Sequence, residues 1–390
     1  MEENPRLKSV TRDEAARWYR VAMDSGYEGT YPYVWLRDNC RCFKCSNPSI
    51  VQRTFKMADL DPEVQPESET IVDDGKVLRI IWPNQHSSDF DAAWLNSQRF
   101  SGNERDTVAR PIRQSWGAEL NGKIPTFDFQ KLLQDDRELY NWLHVLNTKG
   151  LAVVNGAPTK EGSMRQLADR IAYLKPTLYG DLWQVQSRPN PSRVVYTPGA
   201  LPLHTDQVYL TIMPGIQMLH CIQRTNVDGA ENQFVDGLRA VEQVKNESPK
   251  AYELLTTREL DYETNGCDRF KAFHVKNTAP TILLDRHGEF HTLFYDNCFR
   301  AASMSRVPVG EVTEMYRALR LLHDVMYRPE NLVHYELAEG EIATFDNLRV
   351  MHARSAFTIT GGGGRTLEGG YFDWDEARSR MRVLQKSLSL

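Results

Sequence analysis

Three groups of residues in this 390-residue chain have types and spacings suited to chemistry. Cys40, Cys42 and Cys45 lie within six positions, half of the six cysteines present, and His86 follows later. Three thiolates and one imidazole make a complete tetrahedral zinc shell, and closed shells of this kind are structural rather than catalytic. Three free thiols are the alternative, and so tight a cluster in a cysteine-poor chain argues against them. His86 follows a strand-like stretch that would return it beside the thiols, which favours it over another residue or a water as the fourth ligand. The second group is His204-Thr205-Asp206, the only His-x-Asp in the sequence. On a strand, residues i and i+2 share a face, so imidazole and carboxylate would converge. A distant second histidine would then complete a two-His-one-carboxylate face with positions left open on Fe(II). The ten histidines present would yield about 0.5 such triplets by chance, so the motif is weak alone. The third group strengthens it. His352 ends the segment Ala343–His352, and Arg365 follows it after four consecutive glycines, Gly361–Gly364. A guanidinium placed there would bind a carboxylate bidentately.

The elements that must position these groups differ between the two ends of the chain. Up to about residue 95 the texture is strand-like. Thr30–Leu36 and Val77–Trp82 are rich in aromatic and β-branched residues, with a loop-like acidic stretch, Asp59–Glu69, between them. Residues 96–125 lack periodicity and read as a linker. Leu132–Leu146 and Glu161–Leu174 repeat apolar residues at helical spacing around a buried strand, Gly150–Asn155. Beyond residue 200 come short strands, Gly215–Ile222, Asn232–Val235, Thr281–Leu284, Glu289–Tyr295 and Glu341–Asp346, interrupted by helices over Pro249–Thr257 and Gly310–Tyr327. A last helix begins near Asp375, whose side chain would cap it, and Gly361–Gly364 reads as a flexible turn that folds Arg365 back toward His352. Many strands with few crossover helices favour a jelly roll over a doubly wound sheet. The expectation is a mainly β fold with helices: residues 1–95 a zinc-binding β domain, 96–125 a linker, and 126–390 a jelly-roll (double-stranded β-helix) domain.

Composition narrows the function. Charged residues are 25% and hydrophobic residues 41%, as in ordinary globular chains, and the net charge of −5 lacks the basic excess of a nucleic-acid binder. No apolar run approaches the roughly 20 residues that span a bilayer. The N-terminal MEENPRLKSV has neither a signal core nor a transit-peptide character. The low cysteine count suits a reduced compartment, and the expected location is cytoplasmic.

Five blocks carry a resemblance that covers nearly the whole chain. They are Val34–Cys42 (VWLRDNCRC) with Ile81–His86 (IWPNQH), Leu203–Asp206 (LHTD), Gly215–Cys221 (GIQMLHC), Phe234–Gly237 (FVDG) with Phe345–Asn347 (FDN), and Arg365–Asp375 (RTLEGGYFDWD). Together they resemble the γ-butyrobetaine dioxygenase family, with trimethyllysine dioxygenase as a close relative. The resemblance implies that His204, Asp206 and His352 ligate Fe(II). It also implies that Arg365 holds the far carboxylate of the co-substrate 2-oxoglutarate, with Leu219 lining its site, and that Cys40, Cys42, Cys45 and His86 hold structural zinc. It further implies O2 as the oxidant, ascorbate as supporting reductant, a homodimer, and hydroxylation of γ-butyrobetaine to L-carnitine.

A quaternary ammonium has no hydrogen to donate, so aromatic faces recognise it best. The family's cage positions are Tyr179, Trp183, Tyr196 and Tyr371 here. The chain departs from the family where an asparagine helps bind the substrate carboxylate: Arg193 stands there, and the second amide position matches Asn297 only to within one residue, beside Asp296. Arg193 would strengthen carboxylate binding and repel a substrate with an extra ammonium, or pair with Asp296. Trimethyllysine or another betaine is the alternative substrate. A non-catalytic zinc-stabilised binding module and a zinc hydrolase are readings of other classes.

Overall fold

The structure of the protein, a computed structural model, describes residues 5–47, 49, 52–100, 106–186, 197–267 and 272–390. The chain divides into two compact units, Met1–Arg105 and Asp106–Leu390. In the first, two three-stranded antiparallel sheets are built from Leu7–Asp13, Trp18–Met23 and Glu28–Pro32, and from Ser68–Val72, Val77–Trp82 and His86–Asp91. Thr30–Leu36 is not one strand. The strand stops at Pro32, and Tyr33–Asp38 turns into a helix because Tyr33 and Leu36, three apart, both face the core.

In the second unit, a six-stranded sheet runs Thr126–Asp128, Leu151–Asn155, Ile342–Asp346, Ile216–Gly229, Phe357–Phe372, Leu182–Gln186. A four-stranded sheet runs Leu201–His204, Val350–Arg354, Asn232–Asp236, Val333–Tyr335. Apolar side chains from both sheets, among them Leu219, Phe234, Val333, Phe345 and Leu367, interdigitate between them. Phe234 meets Phe345 edge-on at 5.5 Å. This is a mainly β jelly roll with helices packed outside. Ile216 and Met218 face the helices Asp136–Thr148, Ser163–Ile171 and Trp374–Leu388. Met351 and Ala353 face Gly237–Glu247, Pro249–Thr257 and Val312–Met326. Period-2 alternation therefore sends Gln217 and Leu219, and likewise His352 and Arg354, into the interior between the sheets.

Several local expectations change. The stretch 106–125 is not free linker: Trp116, Leu120 and Ile124 are buried in the intersheet core, and the Trp116 indole N–H donates to the Lys149 carbonyl at 2.7 Å. Its apolar residues plug one surface instead of lining a helix face, which is why no period appears. Leu132–Leu146 is two helices broken at Asp135, whose carboxylate caps the second. Gly361–Gly364 is no turn. It lies inside the 16-residue strand Phe357–Phe372, where the pairing slips between Thr225–Gly364 and Val227–Ile359. The glycines absorb this bulge, and Gly361 takes φ +56°. Asp375 sits in the first turn of the last helix, and the N-cap residue is Asp373. The Asp373 carboxylate is otherwise engaged, accepting from the Gly215 amide at 3.0 Å and the Lys175 ammonium at 2.5 Å. Among the described residues, no helix is long and apolar enough to cross a membrane.

Candidate active site and metal centres

In the N-terminal unit, the helix Tyr33–Asp38 delivers the chain to Cys40, Cys42 and Cys45, and the ladder that pairs Trp82 with His86 brings the imidazole back. The His86 Nε2 lies 3.2 Å from the Cys40 sulfur and 3.6 Å from those of Cys42 and Cys45. Zn–S bonds of about 2.3 Å and a Zn–N bond of about 2.0 Å at tetrahedral angles place sulfur and nitrogen roughly 3.6 Å apart, so the donors fit a zinc ion. Burial, then the charges of Arg37 and Lys44, push the His86 imidazole below its ordinary pKa, which leaves it neutral and able to ligate. Burial pushes the Cys40 thiol up to about 12.

The second centre forms inside the jelly roll. His204 is the last residue of its strand and sits directly opposite His352 in the antiparallel ladder, with ring centroids 4.1 Å apart. Asp206 lies beyond that strand end, so strand alternation is not what brings it to His204. Asn347, fully buried, holds it: its side-chain oxygen accepts from the Asp206 amide at 2.8 Å, and its NH2 donates to the Asp206 and Pro214 carbonyls at 3.1 and 3.0 Å. The Asp206 Oδ1 then lies 3.2 Å from the Nε2 of His204 and 3.8 Å from that of His352. The Nδ1 of His204 lies 2.9 Å from the Pro202 carbonyl, and donation to it turns the Nε2 lone pair inward.

The electrostatics suit a divalent cation. Burial disfavours charge on Asp206, but its contacts with His204, His352 and the Tyr371 hydroxyl outweigh that and hold the carboxylate well below its usual range. The same opposition, burial against Asp206, leaves His204 raised to about 9; burial and the His204 charge push His352 down to about 3. All three ligand atoms lie within 4.8 Å of one another. Two imidazoles and a carboxylate on one side of a cavity match the donor set of an Fe(II) site with open positions.

That cavity, about 60 Å³, is lined by His204, Asp206 and His352, by Leu219 and Trp183, and by two guanidiniums, Arg354 and Arg365. Arg365 comes from the long strand, where it faces Arg224; burial and the charge of Arg354 lower it to about 10. It remains a cation at neutral pH. The Trp183 and Tyr371 rings meet at 5.8 Å and 32°, and the Tyr371 hydroxyl donates to the Asp206 Oδ2 at 2.5 Å. Trp183 lies flat because its partner in the ladder is Gly369: a Cβ there would come within 2.3 Å of the indole. The hydroxyl of Tyr179 lies 3.1 Å from that of Tyr209. Asn297 is not in this cavity. It is exposed, accepts from Arg300 at 3.0 Å, and lines a separate cavity of about 260 Å³ with buried Asp296 and Tyr262, Tyr295, Tyr316 and Tyr327. Arg193 and Tyr196 fall outside the described residues.

Sequence reasoning missed Asn347, Arg354, Gln217 and Gly369. Asn347 was in view within the FDN block, but its partner Asp206 is 141 positions away. Arg354 alternates with His352, and that i, i+2 spacing was the available signal.

The comparisons agree with this geometry. Residues 109–371 match the taurine catabolism dioxygenase TauD, TfdA family, and residues 10–96 match the γ-butyrobetaine hydroxylase-like N-terminal family. A γ-butyrobetaine dioxygenase from Homo sapiens is 36% identical over 363 residues, covering 92% of each chain. One from Pseudomonas sp. (strain AK-1) is 32% identical over 94% of this chain and 93% of its own. A mitochondrial trimethyllysine dioxygenase from Bos taurus is 33% identical over 91% of this chain and 82% of its own. The fold and site are those of a 2-oxoglutarate-dependent dioxygenase. The chain belongs to the TauD, TfdA family and, within it, to the γ-butyrobetaine dioxygenase group.

Proposed function

We propose that this protein hydroxylates γ-butyrobetaine to L-carnitine. The observation that carries this reading is the aromatic corner of Trp183 and Tyr371, set directly against the carboxylate of the histidine–aspartate trio. A trimethylammonium group on these ring faces is held by cation–π attraction without needing a hydrogen bond. The butyrate chain would then extend from the rings past the three ligands, presenting one C–H bond to the open positions.

In this reading His204, Asp206 and His352 hold Fe(II), which supplies the O2 chemistry that couples decarboxylation of 2-oxoglutarate to C–H hydroxylation. Arg365 anchors the far carboxylate of the co-substrate, and Leu219 packs along its carbon chain. The His204 contact to Pro202 and the Asn347 contacts to Asp206 keep the ligands oriented. Tyr179 and Tyr196 complete the aromatic cage and Arg193 meets the substrate carboxylate, whereas Asn297, which lines the separate cavity, takes no part. Cys40, Cys42, Cys45 and His86 hold a structural zinc in the N-terminal domain, and the oxygenase domain takes in residues 106–125, whose Trp116, Leu120 and Ile124 belong to its core. By the same resemblance, ascorbate sustains turnover and the working form is a cytoplasmic homodimer.

Asp296 favours a second reading. Burial raises its pKa above the ordinary carboxylate value, against the opposing charge of His204, and it sits in the neighbouring tyrosine-lined cavity, where an ammonium would favour its ionised form. A substrate with an extra ammonium, such as trimethyllysine, would find a partner there. Turnover with γ-butyrobetaine and with trimethyllysine, each monitored by substrate-dependent succinate release, separates the two. A clear preference for trimethyllysine would overturn the first reading.

A further inference from the structure

Two buried arginines of the jelly roll have opposite surroundings. Arg349, 1% exposed, meets Asp236 through Nε and Nη2 at 2.8 Å each, so its charge is cancelled by a carboxylate. Arg365, 6% exposed, has no acidic side chain within 4 Å among the described residues. The charge it feels most is that of another guanidinium, Arg354. The two share one ring: the guanidinium carbons of Arg354 and Arg365 lie 4.8 and 5.7 Å from the centroid of Phe357. Both line the cavity that contains the three metal-binding side chains. Among the described residues, the single carboxylate lining it, Asp206, is already engaged with His204 and Tyr371.

Two like charges buried around one cavity are costly unless an anion joins them. We propose that Arg354 is a second cation of the co-substrate site, sharing the far carboxylate of 2-oxoglutarate with Arg365. The inference rests on Arg365 taking that carboxylate. The Nη2 of Arg354 donates to the carbonyls of Thr197 and Gly199 at 2.7 and 2.6 Å, so the guanidinium plane is fixed before a ligand arrives. Its strand neighbour two residues back is His352, which ties the position of the anion to the metal-binding face.

The test measures dissociation constants by calorimetry on zinc-loaded protein, for 2-oxoglutarate, for the monocarboxylate 2-oxopentanoate and for γ-butyrobetaine. Losing one charge-assisted contact corresponds to about a 10-fold weakening. Arg354→Gln is expected to weaken 2-oxoglutarate about 10-fold while leaving 2-oxopentanoate, which lacks the far carboxylate, and the betaine unchanged. Weakening of the betaine alone would reduce Arg354 to a support for the Thr197–Gly199 segment and overturn the proposal, as would equal weakening of both oxo acids or of neither. Arg354→Lys keeps the charge and is expected to recover part of the 2-oxoglutarate affinity; if Arg354→Gln fails to fold, Arg354→Lys carries the same comparison, with a smaller selective loss for 2-oxoglutarate expected. Arg365→Gln is the control: unchanged 2-oxoglutarate binding there would refute the assignment of Arg365 itself, a failure distinct from that of Arg354.

Discussion

His204 and His352 are direct partners across an antiparallel ladder, 148 positions apart in sequence yet with ring centroids 4.1 Å apart. Two imidazoles of the metal-binding face are thereby set by backbone register, and only the carboxylate depends on a side chain for its place. That side chain is Asn347, which grips the Asp206 backbone from both sides.

Asn347→Ala should therefore lower Fe(II) affinity about 10- to 100-fold while sparing the histidines, as is usual for groups that orient a ligand. Competition with a metal indicator reads this directly. Affinity equal to that of the parent protein would show that the turn holds Asp206 without Asn347.

Trp183→Ala and Gly369→Ala should act alike for different reasons. The first removes the indole, and the second adds a methyl that cannot coexist with it. Both should raise KM for a trimethylammonium substrate about 10-fold or more, in line with the worth of a desolvated cation–π contact, and leave KM for 2-oxoglutarate within about 2-fold. Equal effects on both constants would remove Trp183 from the cage.

Tyr371→Phe keeps the ring but deletes the hydroxyl that donates to Asp206. The betaine KM should change little, whereas kcat and Fe(II) affinity should fall, since a charge-assisted hydrogen bond to the carboxylate is lost. A rise in KM with kcat intact would mean that the hydroxyl serves the substrate instead of the metal ligand.

What the sequence makes legible depends on the range of the interactions involved. Val77–Trp82 and Pro249–Thr257 have the bounds read from the sequence, because residue type and turn signals at each end define them locally. The metal-binding side chains were legible because few residue types can do that chemistry. The helix Gly237–Glu247 was missed although its signal was present: Asp236 caps it, and Ala240, Val241 and Val244 repeat on one face. Gly361–Gly364 misled because glycine marks a turn and a bulge equally well, and only the pairing partner decides. Arg354, Asn347 and Gly369 owe their roles to partners that only the ladders bring near.

The pH dependence of zinc retention follows from the thiols. With Cys40 raised to about 12 by burial, metal binding must displace its proton, so zinc affinity should climb as pH rises and fall as pH drops. Arg365 behaves oppositely toward its anion: it is charged below about 10, so KM for 2-oxoglutarate should rise as pH passes that value. Zinc retention under a fixed chelator from pH 5 to 8, and initial rates from pH 8 to 10.5, check the two signs. Zinc loss that increases with pH would contradict the first.

Product identity decides whether the cavity hydroxylates γ-butyrobetaine. Purified protein with Fe(II), 2-oxoglutarate, ascorbate and O2 should convert γ-butyrobetaine to L-carnitine, identified by NMR, with one succinate formed per carnitine. Succinate release that γ-butyrobetaine does not stimulate, or release without carnitine while trimethyllysine is hydroxylated, would contradict it.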